Sequence, residues 1–200
     1  DTSSLVGPFV QMDAGDSNTC AIDTFGGLQC WGNNDNGQSD PPAGDYTEVA
    51  CGFRHCCAVA TDHSMDCWGN NNEGRATPPA LVEFDRVAAG IYHTCGIDVG
   101  GAAKCFGRND KGQAPTVVGT GTYIEIATAE TFSCAISATD GRISCWGDQT
   151  VAGQLNGPPA GTYTALDATG DTACAVSDAG ATVCWGTDTH GEQSPPAVWW

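Results

Sequence analysis

Ten of the twelve cysteines stand in five short couples, and this spacing constrains the fold more than any other feature of the 200-residue sequence. The two members of a couple are 10 or 11 residues apart. The couples are Cys20 with Cys30, Cys57 with Cys67, Cys95 with Cys105, Cys134 with Cys145, and Cys174 with Cys184. An even number of cysteines at regular spacing is typical of a disulfide framework formed in an oxidising compartment. We therefore predict five local disulfides and a secreted, extracellular protein.

The remaining cysteines, Cys51 and Cys56, raise the question of a metal site. Zinc ligands come as C-x₂₋₄-C pairs that bring two thiolates onto one ion, and none of the five couples has that spacing. Cys51-x₄-Cys56 comes near it, but Cys57 follows directly. We interpret Cys51 and Cys56 as a sixth, local disulfide, and we predict no metal site.

The five couples mark five copies of one unit. Their first cysteines stand at 20, 57, 95, 134 and 174, so the unit recurs every 37 to 40 residues. Self-similarity at this period predicts a solenoid, a propeller or an array. Apolar residues within a unit alternate with a period of two, and no segment carries a helical stripe. Three or four short strands would form one sheet that cannot bury both faces alone. Radial stacking of such sheets predicts an all-β fold, a five-bladed β-propeller with one disulfide staple inside each blade of about 40 residues.

Proline punctuation separates the units, because proline ends strand pairing. We predict one domain over residues 1–200, with repeats at approximately 9–42, 46–79, 83–115, 122–159 and 162–196. The start at Asp1 without a leader pattern predicts a mature or trimmed form.

Trp199 and Trp200, in the last segment 197–200, are costly to leave in water. We expect them to close the ring on the first blade or to form an interface with a neighbouring subunit; an open arc or part of a longer array is the alternative to a closed ring.

The repeated pattern Gly-x-x-His-x-Cys-Ala/Gly-Ile/Val, followed by Cys-Trp-Gly-x-Asn-x-x-Gly-Gln, resembles the regulator-of-chromosome-condensation type of propeller repeat. It is clearest at 52–75 and 90–113. The most similar in style are the extracellular, disulfide-stapled members: crinkly-type receptor ectodomain repeats and the propeller-type β-lactamase inhibitory protein. Those relatives typically carry seven blades. The fourth copy departs from the pattern at 129–132, and the fifth is shortened at 170–173.

Composition excludes several functions. The formal charge of −17 disfavours binding to nucleic acid or anionic lipid. No apolar run is long enough to cross a membrane, so we predict no membrane insertion. The sequence contains no nucleophile elbow, no zinc-protease helix and no phosphate-binding glycine loop. We therefore predict a protein that is not an enzyme and needs no cofactor.

Five turns between the first and second strands of the units differ most from copy to copy. In a propeller such turns gather on one rim, where loop variation builds binding surfaces. Resemblance to the lactamase inhibitor, whose equivalent turns are rich in aromatic residues, implies the same role here. We predict an extracellular protein as the partner, with Phe53, Arg54, Tyr92 and Phe132 as its main contacts. The other candidate contacts in these turns are Asp16, His55, His93 and Asp171. Packing at the channel mouth is the alternative interpretation of these side chains.

Other interpretations of the sequence stay open. Five quasi-equivalent sites would suit a carbohydrate-binding lectin, and self-association through 197–200 would suit a structural subunit of an extracellular fibre or coat. The Asn/Asp-rich turns at 33–37, 70–74 and 109–112 invite a calcium site, but these residues are also typical of tight turns. The aromatic residue of each Cys-Trp-Gly is expected in the core between blades.

Overall fold

The structure, a computed structural model, describes residues 7–148 and 160–187. Within these residues the chain forms five antiparallel sheets of three strands each, which we call blades 1 to 5. Their strands are β1 Phe9–Ala14, β2 Asn18–Asp23, β3 Leu28–Gly32, β4 Tyr46–Cys51, β5 His55–Ala60, β6 Met65–Gly69, β7 Phe84–Ala89, β8 His93–Asp98, β9 Ala103–Gly107, β10 Tyr123–Thr128, β11 Phe132–Ser137, β12 Ile143–Gly147, β13 Tyr163–Thr169, β14 Thr172–Ser177 and β15 Thr182–Gly186. The only helix in the described residues is one 3₁₀ turn, Asn72–Gly74, which is too short to span a membrane.

The six predicted disulfides are confirmed. In every blade the two cysteines of a couple lie directly opposite each other on the second and third strands. From blade 1 to blade 5, these bonds join Cys20 to Cys30, Cys57 to Cys67, Cys95 to Cys105, Cys134 to Cys145, and Cys174 to Cys184. The sixth bond joins Cys51 to Cys56, between the first and second strands of blade 2. All twelve cysteines lie in the described residues and none is free. Each blade is therefore cross-linked only to itself, and blade 2 is cross-linked twice.

Apolar packing between consecutive blades forms the core. The first strands of neighbouring blades contact one another and surround a central channel. Val49 of blade 2 is buried against Cys20 and Ile22 on the second strand of blade 1, and the same contact recurs down to blade 5. Burial of a side chain of this size contributes about 1.5–3 kcal/mol. Stacking thus supplies the second face that no single blade could bury alone.

Blades 1 and 5 do not pack together in this way within the described residues. Met12 of blade 1 is 59% exposed, whereas its counterpart Val49 is 2% exposed. A Cβ atom at Gly52 of blade 2 would collide with Gly90 O of blade 3, whereas a Cβ atom at the turn glycine Gly170 of blade 5 would meet no atom of the described residues within 4 Å. The described blades therefore form an arc with a seam between its ends. Trp199 and Trp200 lie outside the described residues, so their predicted role in closure stays a prediction.

Candidate binding surface on the upper rim

The five variable turns lie at one end of the blades, which we call the upper rim. Each of the first four turns donates a backbone hydrogen bond to the turn of the next blade: Asp16 N to Gly52 O at 3.4 Å, Phe53 N to Gly90 O at 3.2 Å, Ile91 N to Ala129 O at 3.4 Å and Glu130 N to Gly170 O at 3.0 Å. The turns between second and third strands lie at the opposite end, the lower rim. The predicted gathering of the variable turns on one rim is therefore what the structure shows.

Five of the eight predicted contact residues can reach a partner from this rim. Asp16, Arg54 and Asp171 are exposed, while Phe53 and Tyr92 are half-buried. Arg54 adopts a left-handed backbone conformation, φ 65°, which costs a non-glycine residue about 1–2 kcal/mol. Its guanidinium carbon lies 4.8 Å from the ring centroid of Phe53.

Three predicted contact residues, His55, His93 and Phe132, have side chains with 0% exposure. Each is the first residue of the second strand of its blade, where the side chain points between blades instead of outward. Burial lowers the pKa of His55 to about 4. Burial also lowers the pKa of His93 to about 3, with a smaller contribution from the charge of His55. A buried side chain offers no area to a partner, so these three are removed from the candidate surface.

The two histidines instead join consecutive blades. His55 Nε2 lies 2.8 Å from Thr94 Oγ1 of blade 3, and that hydroxyl donates to Arg75 O at 2.8 Å. Because the hydroxyl proton is already used, we assign the proton of His55 to Nε2. His93 makes the same contact with Ser133 of blade 4 at 2.7 Å. The His of the repeated motif is therefore a structural residue in this chain, with neutral imidazole as the hydrogen-bond donor.

The partners of this contact change together along the chain. Between blades 4 and 5, Phe132 takes the position of the histidine and Ala173 that of the hydroxyl, and both belong to one buried apolar cluster. Between blades 1 and 2 the pair is Asn18 and Cys56, with Asn18 Nδ2 3.1 Å from Cys56 Sγ. Each blade interface thus contains a matched pair, polar with polar or apolar with apolar.

Sequence reasoning missed two arginines of the upper rim. Arg75 Cζ lies 5.2 Å and Arg108 Cζ 5.1 Å from the ring centroid of Tyr92. Arg75 is buried and donates from Nη1 to Ile91 O at 2.8 Å. The available signal was departure from the repeat: Arg75 stands where the first and third copies have glutamine, and Arg108 where the first two have asparagine.

The channel has a volume of about 550 Å³ and is lined by first-strand residues of all five blades. Carboxylates from Asp13, Glu48, Glu125 and Asp167 face it. Burial raises the pKa of Glu48 to about 7, with a smaller effect of Glu125 in the same direction and an opposing one of Arg86. Burial also raises the pKa of Asp13 and of Glu125. The folded channel therefore takes up protons more readily than the unfolded chain.

Several side chains that line the channel also protect the open edge of the first strand in the next blade. Gln11 accepts from Val49 N at 3.0 Å and donates to Val49 O at 2.9 Å. Asp13 accepts from Cys51 N at 2.7 Å, and Glu48 accepts from Val87 N at 3.2 Å. Backbone groups of an edge strand that are satisfied by side chains are no longer free to pair with another chain.

Glu48→Gln is expected to raise the melting temperature at pH 8 and to leave it unchanged at pH 4. The stabilising contribution of protonated Glu48 is complete below its unfolded pKa of 4.5 and is lost as the pH rises through about 7. Glutamine stays neutral and keeps an acceptor for Val87 N. We expect a gain of about 1–2 kcal/mol, or several degrees, in thermal melts at pH 8. Glu83→Gln, at an exposed glutamate, is the control. Equal gains at both pH values would contradict this prediction.

The Asn/Asp-rich turns are held by their own hydrogen bonds. Asn33 Oδ1 accepts from Asp35 N at 3.2 Å, and the buried Gln38 accepts from Asn36 N at 2.9 Å through Oε1. The backbone oxygen of Gln38 accepts from Trp68 Nε1 at 2.9 Å. These contacts account for the Asn, Asp and Gln of the motif as turn residues.

One group of metal-ligating residue types comes together in the described residues. The sulfur atoms of Cys20, Cys51 and Cys56 lie within 4.8 Å of one another at the interface of blades 1 and 2. All three belong to disulfides. Since zinc binds thiolates, this cluster offers no zinc ligands while its disulfides are intact.

Comparison with known repeats agrees with this architecture. The regulator of chromosome condensation (RCC1) repeat matches residues 9–38, 46–75 and 84–113, which begin at β1, β4 and β7. Three of its five units are therefore RCC1 repeats. The matched segments are the three copies that retain an asparagine or histidine at the buried motif position, and the fourth copy, with Phe132 there, lies outside them. No curated protein matches the chain.

Solved RCC1-like propellers share its fold. The CRINKLY WD40 ectodomain of the Arabidopsis thaliana receptor kinase ACR4 is 22% identical, with a TM-score of 0.76 over 96% of this chain and 68% of that one. The ectodomain of the Physcomitrella patens receptor kinase CR4 is 24% identical, with a TM-score of 0.80 over 96% and 56%. Prp20p from Saccharomyces cerevisiae, studied for its binding to Gsp1p and histones, is 14% identical, with a TM-score of 0.77 over 94% and 59%. This chain therefore spans somewhat over half to two thirds of the length of these RCC1-like proteins.

Proposed function

We propose that this RCC1-repeat chain is a secreted, non-catalytic recognition module that binds an extracellular protein through the upper rim of blades 2 and 3. The observation that carries the proposal is the pair of half-buried aromatic residues, Phe53 and Tyr92, each stacked with arginine. Tyr, Phe and Arg are enriched at protein interfaces and concentrate binding energy. Six disulfides support an oxidising, extracellular setting. Receptor ectodomains and a protein known for Gsp1p and histone binding share the fold, which suits protein recognition.

A lectin function has weaker support. A lectin with five equivalent sites would repeat its contact residues, whereas the upper-rim turns differ from blade to blade. Two of the repeated indoles are engaged between blades: Trp68 Nε1 donates to Gln38 O, and Trp146 Nε1 donates to Gln113 O at 3.0 Å. The third possibility, an assembly subunit, depends on residues 197–200, which lie outside the described residues.

Photo-crosslinking tests the proposed surface directly. With benzoylphenylalanine at position 53 or 92, exposure to the secreted fraction of the producing organism is expected to link one defined protein. The same probe at Phe25 is the control, because Phe25 is 88% exposed and lies on the lower rim. A partner that links from position 25 but not from 53 or 92 would place the binding surface elsewhere.

The double variant Phe53→Ala/Tyr92→Ala is expected to weaken binding of that partner by about 30-fold or more, as removal of interface hot spots does. Melting temperature should change by only a few degrees, since both side chains are partly exposed. Phe25→Ala should bind like the unaltered protein. Titration calorimetry or biolayer interferometry measures the affinities, and unchanged affinity of the double variant would overturn the proposal.

A further inference from the structure

Positive charge is scarce in this protein and is concentrated in one place. The chain has 7 Lys and Arg against 24 Asp and Glu. Four of the seven, Arg54, Arg75, Arg108 and Lys111, belong to the upper-rim turn of blade 2 or to the loops that follow β6 and β9. Those loops reach the same rim, because Asn70 N donates to Arg54 O at 2.7 Å and Arg108 N to Tyr92 O at 3.0 Å. The rest of the surface is mainly acidic, so this basic cluster marks a distinct surface.

Within the cluster, Arg54 differs from the other cations. Arg108 pairs with Asp110 at 2.6 Å, and Lys111 pairs with Asp148 at 3.0 Å. Arg75 is buried and donates to backbone oxygens, among them Asn72 O at 3.0 Å. Arg54 is exposed, and no acidic group of the described residues forms an ion pair with it. Its guanidinium is therefore available to a carboxylate from another molecule.

The backbone around Arg54 is fixed before any partner arrives. The disulfide between Cys51 and Cys56 encloses the turn, and none of the other blades has a second disulfide of this kind. Phe53 N donates to Gly90 O of blade 3, and Arg54 O accepts from Asn70 N. A turn held from both sides loses little conformational entropy when it binds. This explains why a left-handed arginine, which is unfavourable in itself, can be maintained on an exposed rim.

We propose that this surface binds an acidic segment of its protein partner, with an Asp or Glu carboxylate paired to Arg54 and a neighbouring apolar side chain against Phe53 and Tyr92. The inference rests on the proposed function and specifies the chemistry of that same site. A planar guanidinium can bind a carboxylate through two parallel hydrogen bonds, which a lysine ammonium cannot do. Because the whole protein carries −17, the acidic segment should belong to a partner that is otherwise neutral or basic.

Selection from a displayed library of random dodecapeptides tests this specificity. Peptides that bind the full chain are expected to contain Asp or Glu beside an aromatic or aliphatic residue. Arg54→Ala should weaken their binding about tenfold or more, and Arg54→Lys should restore only part of it. Arg142→Ala is the matched control, because Arg142 is exposed and forms its ion pair with Asp140 in the lower-rim turn. Circular dichroism confirms that each variant is folded.

Synthetic peptides then separate charge from shape. Replacing the selected Asp or Glu by Asn or Gln should cost about tenfold against the unaltered protein but have little further effect on Arg54→Ala. Selected peptides without acidic residues, equal binding by Arg54→Ala, or no selectable peptide would overturn the acidic-segment proposal. Crosslinking from positions 53 and 92 to a partner would still support the upper rim as a protein-binding surface in that case, so the two failures are distinguishable.

Discussion

Replacing Phe132 by alanine is expected to lower the free energy of unfolding by about 3–5 kcal/mol. The ring has 0% exposure and packs in a cluster with Cys134, Tyr163 and Trp185, so its removal leaves a cavity between blades 4 and 5. Phe53→Ala, on the rim, should cost no more than about 1 kcal/mol. Denaturant unfolding with the disulfides intact measures both values.

Phe25→Ala is the control for this comparison, because that ring is almost fully exposed and its loss should be nearly neutral. A loss below about 1 kcal/mol for Phe132→Ala would show that the side chain is not a core residue. It would also return Phe132 to the set of candidate rim contacts, from which its burial now excludes it.

We expect the second large effect at the pair of residues that joins blades 3 and 4. There the polar pair His93 and Ser133 can be exchanged for an apolar pair like the one found between blades 4 and 5. Ser133→Ala alone leaves His93 Nε2 buried without a partner, and His93→Phe alone places an apolar ring against a hydroxyl. Each single change should cost about 2–3 kcal/mol. The double variant reproduces Phe132 and Ala173, so its loss of stability should be about 1–3 kcal/mol smaller than the sum of the two single losses.

A double-mutant cycle from denaturant unfolding curves gives the coupling between the two positions, expected at about 1–3 kcal/mol. Simple additivity of the two single losses would mean that the residues act independently, and that the pairing along the repeat is incidental. The low pKa of His93 keeps the imidazole of the folded protein neutral above about pH 4. The coupling energy should therefore be the same at pH 6 and pH 8.

The blades and their disulfides could be predicted because the necessary information is local and repeated. A couple such as Cys20 and Cys30 specifies a hairpin by its spacing alone, and five copies fix the architecture. Side-chain direction at the turn ends was harder to predict. His55 lies next to Arg54 in sequence, but Arg54 is exposed on the turn while His55 begins the second strand and points between blades. Assigning the whole turn to the rim therefore included residues of the core.

The contact of Tyr92 with two arginines depends on packing between repeats, which no single repeat encodes. Arg75 comes from the loop that follows blade 2, whereas Tyr92 and Arg108 belong to blade 3. What the sequence does show is where a copy differs from its neighbours. In this chain those differences, at Arg75 and Arg108, fall beside the candidate binding surface.

The confinement of every disulfide to one blade also affects how such a chain can be made and how it can change. As the chain enters an oxidising environment, each couple can close once the next 10 or 11 residues have emerged, in order from the amino terminus. Cys56 and Cys57 are adjacent in sequence, so it is here that the wrong cysteine for a disulfide lies nearest to the right one. Because each unit carries its own cross-link, a gene duplication that adds a whole unit leaves all existing disulfide pairings intact.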